Sequence, residues 1–114
     1  MHELGIAQSI IGRVAREVQR HPGARPRAVG VKIGEISGVD RDALAFGFEV
    51  LVKDTDWPLL KLDVEYCPRR HRCPSCEREF AVKDFATACP NCGNAATVLV
   101  SGEELDIGYI EVED

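Results

Sequence analysis

The chain is short and mildly acidic, which limits the kinds of protein it can be. It has 114 residues, a net charge of −5, 45% hydrophobic and 29% charged residues, a composition typical of a globular protein rather than a disordered or fibrous one. The acidic balance argues against nucleic acid as a partner, because such binding relies on clustered lysine and arginine. Since neither a bilayer-spanning apolar run nor a secretory signal is present, we expect a cytoplasmic protein with no membrane partner.

Two amphipathic helices and three strands are predicted in chain order. Apolar residues recur at helical period over residues 4–19, and the turn at His21-Pro22-Gly23 ends this first helix. A strand with one buried face follows at residues 29–36. Asp40 is the expected N-cap of the second helix. Strict alternation predicts further strands at residues 60–66 and 105–112, with a bulge beside Tyr109 in the last one.

These elements predict an α+β fold, in which two helices cover one face of a three-stranded sheet. Between Cys67 and about Val98 the amphipathic pattern gives way to cysteines, arginines and short polar residues. We interpret that interval as a small zinc-ribbon-like domain inserted before the last strand. The predicted domains are therefore residues 1–66 plus 101–114, and residues 67–100.

Four of the five cysteines form two CxxC motifs that are separated by twelve residues. Each motif places two thiolates on a tight turn, and two such turns supply the four sulfurs of a tetrahedral zinc site. Four protein ligands leave no open position for water or substrate, so a structural role is favoured over catalysis. Redox chemistry and an iron centre remain as alternatives. The predicted zinc ligands are Cys73, Cys76, Cys89 and Cys92.

Two further residues near these motifs could take part in metal binding. Cys67 is the cysteine left over, and we expect a half-buried thiol there. His71 lies between Arg70 and Arg72, where a solvated loop histidine is the expected state. A metal-ligand role for either residue is the alternative.

The first residues have the chemistry of a chelator. A free amine on Met1, the deprotonated backbone nitrogen of His2 and the Nδ1 atom of His2 can close adjacent chelate rings around one metal ion. A nitrogen set of this kind favours Ni(II) or Cu(II) in a square-planar field. Glu3 and Asp40 could each add an oxygen ligand. The alternative is an ordinary frayed terminus.

Five segments together resemble one protein family from the first residue almost to the last. They are Met1-His2-Glu3-Leu4, the Ile33–Val39 segment, the Ala43–Glu49 segment, the paired CxxC motifs and Ser101-Gly102-Glu103-Glu104-Leu105. This combination is similar to the hydrogenase nickel-incorporation proteins, the HypA/HybF family of metallochaperones. The stretch 67–72, with its extra cysteine and its arginines around His71, departs from the common pattern of that family.

The resemblance implies a nickel chaperone without enzymatic activity, which delivers Ni(II) to [NiFe]-hydrogenase and, in some organisms, to urease. It implies nickel held by His2, with Glu3 nearby and an acidic residue at the position of Asp40, and zinc held by the four cysteines. The partners it implies are the nickel-handling maturation GTPase HypB, the hydrogenase large subunit and a second copy of the chain in a homodimer.

Three other functions compete with this interpretation. A zinc-ribbon interaction module would carry no cargo metal. A zinc enzyme would need an open coordination position and a general base, which four sulfurs do not offer. A nucleic-acid-binding ribbon could use the arginines near the motifs, but we interpret this cluster as a solvated or protein-docking surface because the whole chain is acidic.

Overall fold

The computed structural model describes the backbone of residues 2–113 and the side chains of residues 3–113. Its elements in chain order are α1 (His2–Arg20), β1 (Arg25–Gly34), α2 (Arg41–Val52), β2 (Lys61–Cys67), β3 (Arg70–Arg72), β4 (Glu79–Ala81), β5 (Val98–Ser101) and β6 (Leu105–Glu113). The α+β fold is confirmed, with the helices and long strands where the sequence predicts them. Neither described helix is both long and apolar enough to cross a bilayer.

The strands form two sheets of three strands each. The long strands are arranged in the order β2-β1-β6, and the short ones in the order β4-β3-β5. The short strands were not predicted, because three or four residues between metal-binding turns are too few to show a clear alternation. Both neighbours of β3 run antiparallel to it.

The chain divides into two compact units. The helical unit contains residues up to Lys32, Val39–Glu65 and residues from Asp106 onward, and the cysteine unit contains Ile33–Gly38 and Tyr66–Leu105. The segment Ile33–Gly38 is held in the cysteine unit by backbone hydrogen bonds, such as that from the Glu35 amide to the Cys67 carbonyl at 2.9 Å. The functional domains at residues 1–66 plus 101–114 and 67–100 stay a prediction.

The core of the helical unit comes from apolar residues at the predicted periods. On α1 the buried positions are spaced by three and four residues, so that one stripe of the helix faces inward. On β1 Val29 and Val31 occupy the predicted buried face, and Ala28 and Gly30 are buried as well. The buried apolar side chains of this unit are Ala7, Ile10, Val14, Ala28, Val29, Val31, Leu44, Phe48, Val52 and Leu60.

The other face of the long sheet carries a tyrosine that lies across the central strand. The ring of Tyr109 on β6 covers Gly30 on β1 so closely that a Cβ atom there would overlap the ring. Its hydroxyl donates a 2.7 Å hydrogen bond to Asp63 Oδ2 on β2. This hydrogen bond to Asp63 raises the pKa of Tyr109, and the charges of Glu111 and Glu65 act in the same direction. Tyr109 thus connects all three strands.

The half-buried positions of β6 are Ile107 and Ile110, while Tyr109 between them is exposed. A spacing of three residues does not fit the regular period of two. The alternation therefore changes phase in the part of the strand where the sequence predicts a bulge.

Replacing Gly30 by alanine should destabilise the helical unit. The new methyl group must displace the Tyr109 ring, and overpacking of this kind costs about 1–3 kcal/mol. Urea unfolding of metal-loaded protein measures the change. Gly12→Ala is the matched control, since a Cβ at Gly12 meets no atom within 4 Å and alanine inside a helix stabilises by about 0.5–1 kcal/mol. Equal stability of Gly30→Ala and the parent would contradict the packing described here.

Candidate metal centre

The first CxxC motif forms a tight turn at the end of β3. The amide of Cys73 donates to the carbonyl of Arg78 at 2.9 Å, and the amide of Glu77 donates to the carbonyl of Cys73 at 2.8 Å. Glu77 has a φ of 64°, in the left-handed region that non-glycine residues seldom adopt. The turn folds the chain so that the sulfurs of Cys73 and Cys76 face the same point.

The second motif repeats these hydrogen bonds. The amide of Cys89 donates to the carbonyl of Asn94 at 2.9 Å, and that of Gly93 donates to the carbonyl of Cys89 at 2.8 Å. Gly93 occupies the position equivalent to Glu77 and also has a positive φ of 77°, which glycine adopts without steric cost. The two turns are therefore built on one plan.

The four sulfurs converge as the sequence predicts. They lie within 4.8 Å of one another, and the cross-motif pairs Cys73–Cys92 and Cys76–Cys89 are 3.5 Å and 3.6 Å apart. A tetrahedral ion with metal–sulfur bonds of ~2.3 Å has sulfurs about 3.8 Å apart. Since Cys73 and Cys89 are buried, the chemistry and the spacing of the donors fit a metal ion with four thiolate ligands.

The sulfurs also perturb one another electrostatically. The backbone amide of Cys76 lowers the pKa of Cys73 to about 6, against the opposing effect of burial. The backbone amide of Asn94 lowers the pKa of Cys92, but the neighbouring sulfurs, with Cys73 first, raise it to about 11. The thiols cannot all lose their protons at neutral pH without a cation, because adjacent thiolates repel. A bound metal ion supplies that positive charge.

Asn94 supports the centre and was missed in the sequence. Its side-chain Nδ2 donates to Ser75 Oγ at 2.9 Å and lies 3.9 Å from Cys73 Sγ, while its Oδ1 accepts from the amide of Ala96 at 2.9 Å. These contacts tie the second motif to the first. An asparagine two positions after a CxxC motif is too common in turns to be recognised as such a support from one sequence.

The expectation of a solvated histidine at position 71 was wrong. His71 lies on β3 with only 6% of its surface exposed. Its Nε2 accepts from Arg69 Nε at 3.3 Å, and its Nδ1 donates to Thr97 Oγ1 at 2.9 Å, because that hydroxyl donates onward to the Thr87 carbonyl. Burial lowers the pKa of His71, and the charge of Arg69 lowers it further. The imidazole is neutral and links three segments of the cysteine unit.

Among the described residues, the four cysteines form the only group of three or more histidine, cysteine or carboxylate side chains that could hold an ion. Neither His71 nor Cys67 belongs to it. Cys67 is half-buried at the end of β2, as expected for the leftover thiol. The proposal that either residue completes the sulfur site has no geometric support.

The neighbouring arginines are engaged within the short sheet. Arg70 pairs with Glu79 at 3.6 Å and Arg72 pairs with Glu77 at 3.3 Å, both at the surface, and Arg69 donates to His71. Two of the four arginine charges near the motifs, those of Arg70 and Arg72, are thus paired with carboxylates, which does not favour the phosphate-binding alternative.

The side chain of Glu3 contacts the backbone of Asp40 at the start of α2. Glu3 Oε2 accepts a 3.0 Å hydrogen bond from the amide of Asp40. Asp40 Oδ1 accepts from the amides of Asp42 and Ala43 at 3.0 Å and 3.1 Å, which confirms Asp40 as the N-cap of α2. Met1 and the side chain of His2 lie outside the part of the chain that the structure describes, so their role as ligands stays a prediction.

The two turns should differ in their tolerance of substitution. Gly93→Ala forces a methyl group into a positive-φ position and should weaken Zn²⁺ or Co²⁺ binding by about tenfold, the equivalent of ~1.4 kcal/mol. Glu77→Gly, at the equivalent position, removes only strain and an exposed ion pair, and should bind at least as tightly as the parent. Competition with a chromophoric chelator measures both. Equal weakening by the two substitutions would refute the role of backbone conformation.

His71→Phe should destabilise the cysteine unit without changing metal stoichiometry. The substitution leaves Thr97 and Arg69 without their buried partner, a loss of about 1–3 kcal/mol, but removes none of the four sulfurs. Urea unfolding of metal-loaded protein and elemental analysis report the two effects. His21→Phe is the control because His21 is exposed. Loss of the bound metal in folded His71→Phe would show instead that the imidazole is a ligand.

Comparison with known proteins identifies the family. A family model described as "Hydrogenase/urease nickel incorporation, metallochaperone, hypA" matches residues 1–112. The chain is 40% identical over 113 residues to the hydrogenase maturation factor HypA of Geobacter metallireducens, covering 99% of this chain and 100% of the relative. It is 38% identical over 116 residues to the factor of that name from Roseiflexus, covering 100% of this chain and 94% of the relative.

Solved structures show the same fold. A solution structure of a HypA protein superimposes with a TM-score of 0.72 at 22% identity, over 99% of this chain and 97% of that one. The solution structure of the Ni metallochaperone HypA from Helicobacter pylori gives a TM-score of 0.63 at 20% identity, over 96% and 95% of the two chains. Together with the match across the whole sequence, these findings show that the chain belongs to the HypA family of hydrogenase and urease nickel-incorporation metallochaperones.

Proposed function

We propose that this metallochaperone binds Ni(II) at its N-terminus and delivers it to [NiFe]-hydrogenase, while the four cysteines hold a structural Zn²⁺. The observation that carries the nickel site is the hydrogen bond between Glu3 and the amide of Asp40. It holds the Glu3 carboxylate against the backbone of Asp40, beside the first turn of α1, which begins at His2, and this supports a site that uses both residues. The family match supports the cargo.

The helical start of the chain suits a nickel chelate. The first amides of a helix have no acceptor within the helix, so nickel can replace the amide proton of His2 without breaking a helical hydrogen bond. The Met1 amine and His2 Nδ1 then complete a nitrogen set that favours square-planar Ni(II). Glu3 offers a carboxylate in the first turn.

In this proposal Asp40 has two roles, as the N-cap of α2 and as a candidate ligand of nickel. One carboxylate oxygen caps α2, so only the other is free of the cap and can approach a metal ion. Asp40→Asn retains a capping oxygen, since asparagine caps helices about as well as aspartate, but removes the charge. The variant therefore separates a ligand role, which would weaken nickel binding, from a purely structural one.

Zinc suits the cysteine site because it takes four thiolates in a closed tetrahedral shell. Such a shell has no position for a substrate, so the site stabilises the small cysteine unit and catalyses no reaction.

From membership of the HypA family, we propose the maturation GTPase HypB and the hydrogenase large subunit as partners. We also propose urease as a second recipient of nickel and a homodimer as the assembled state. A cytoplasmic location fits these partners.

The test compares nickel binding by protein that starts at Met1 with protein carrying one extra residue before it. The extension removes the terminal amine from the chelate, and His2→Ala removes the imidazole, so each should lower Ni(II) affinity by about tenfold or more. Isothermal titration measures affinity, and absorbance of diamagnetic, four-coordinate Ni(II) reports the geometry. About one nickel and one zinc per parent chain are expected.

His21→Ala is the matched control, because His21 is an exposed histidine just beyond the other end of α1. It should bind nickel as the parent does, and zinc content should be the same in every variant. If the extended protein and His2→Ala kept full nickel affinity, the terminal chelate would be ruled out. If the parent bound zinc but no nickel, the alternative of an interaction module without cargo would replace the proposal.

A further inference from the structure

The four cysteines of the cluster differ in their access to solvent. The first cysteine of each motif is buried, Cys73 with none of its surface exposed and Cys89 with 3%. The second cysteine of each motif lies further out, since Cys76 is half-buried and Cys92 is exposed. We call Cys73 and Cys89 the inner cysteines, and Cys76 and Cys92 the outer cysteines.

A neighbouring side chain adds to the cover of one inner cysteine. Asn94 Nδ2 lies 3.9 Å from Cys73 Sγ and is held there by the hydrogen bond that it donates to Ser75 Oγ at 2.9 Å. A reagent in solution therefore meets Cys92 more readily than Cys73, although both belong to the same cluster.

Each outer sulfur lies beside the inner sulfur of the other motif. Cys92 Sγ is 3.5 Å from Cys73 Sγ, and Cys76 Sγ is 3.6 Å from Cys89 Sγ. At these distances the sulfur atoms of a pair are almost in contact, so a reactive group formed on an outer sulfur has an inner sulfur next to it. An accessible cysteine with a second thiol beside it is the arrangement of cysteines that respond to oxidants.

We propose that the cluster is an oxidation site for peroxides, at which Cys92 is attacked first, Cys73 forms a disulfide with it, and the bound ion is released. This inference rests on the proposed zinc occupancy of the cluster and is independent of nickel binding. A bound cation keeps the sulfurs deprotonated, and the thiolate is the form that reacts with oxidants. Exposure then decides which of the four thiolates reacts first.

The reaction has two steps that balance atoms and electrons. The Cys92 thiolate attacks one oxygen of hydrogen peroxide, the O–O bond breaks, and a sulfenic acid forms while hydroxide leaves and takes up a proton to become water. The Cys73 thiolate then attacks the Cys92 sulfur, so that an S–S bond forms, the S–O bond breaks and a second hydroxide leaves. Two thiolates thus lose two electrons, and the peroxide is reduced to water.

The disulfide removes two of the four ligands from the cluster. A structural zinc ion needs a closed shell of four, so the ion dissociates from the two sulfurs that remain. The second cross-motif pair, Cys76 and Cys89, can react with another peroxide in the same way. The two motifs then stay joined by covalent bonds, and a thiol reductant restores the sulfurs for metal binding.

The test uses the whole chain loaded with Zn²⁺, without nickel, and treated with hydrogen peroxide. A chromophoric chelator follows zinc release, and mass spectrometry of peptides locates the disulfide after free thiols are blocked with iodoacetamide. We expect about one zinc ion released and one Cys73–Cys92 disulfide formed for each peroxide first consumed. Dimedone, which captures sulfenic acids, should label Cys92 before the other cysteines when it is present during oxidation.

Two histidine variants test the order of attack. Three cysteines and one histidine are a common set of structural zinc ligands, so Cys92→His and Cys76→His can each retain the ion, as elemental analysis before oxidation establishes. Cys92→His removes the exposed thiolate and should slow zinc release about tenfold, whereas Cys76→His should slow it much less. Cys67→Ser is the matched control and should behave as the parent, because Cys67 lies outside the cluster.

Three results, in a parent chain that holds zinc, would overturn the inference alone. The first is an initial disulfide within one motif, such as Cys89–Cys92. The second is equal slowing by the two histidine variants, or, where a variant holds no zinc, dimedone labelling of the parent that begins at another cysteine. The third is zinc release with all thiols still reduced. Failure of the parent to take up zinc would instead contradict the proposed structural site, and this inference with it.

Discussion

The convergence of four sulfurs is the constraint on which the cysteine unit depends. Among the described residues, the buried apolar side chains of this unit are only Ile33, Val82, Cys73 and Cys89, so burial of apolar surface alone gives it little stability. The two turns instead use backbone hydrogen bonds and left-handed residues to bring the sulfurs within 4.8 Å of one another. Their mutual repulsion favours a bound cation, whose binding free energy becomes folding free energy.

Most of the helical unit could be predicted from the sequence because its signals are local. The stripe of α1, the alternation of β1 and the cap at Asp40 each follow from residues within a few positions of one another. The buried state of His71 could not be predicted in this way. It depends on Thr97, which lies 26 residues away in the chain, and a histidine among arginines has no local feature that distinguishes it from a solvated one.

The same distinction applies to the metal centre. The CxxC spacing alone predicted which four sulfurs converge, since each motif is contiguous in sequence. The contacts of Asn94 join distant segments, so a single sequence gives no sign of them. Tyr109 was assigned correctly to a strand, but its position across Gly30 depends on the pairing of three strands.

The cysteine cluster and the proposed nickel site differ in how much of the chain would hold the ion, and this difference fits a chaperone. The cysteine site has four sulfurs on two hydrogen-bonded turns, with Cys73 and Cys89 buried, and all four must be displaced before an ion there is lost. The proposed nickel site lies at the free end of a helix, and its Glu3 carboxylate is already hydrogen-bonded to the Asp40 amide. In the proposed mechanism, a partner would therefore replace terminal ligands one at a time while the capped start of α2 stays intact. The proposal thus assigns stable retention to the cysteine unit and ready release to the N-terminus.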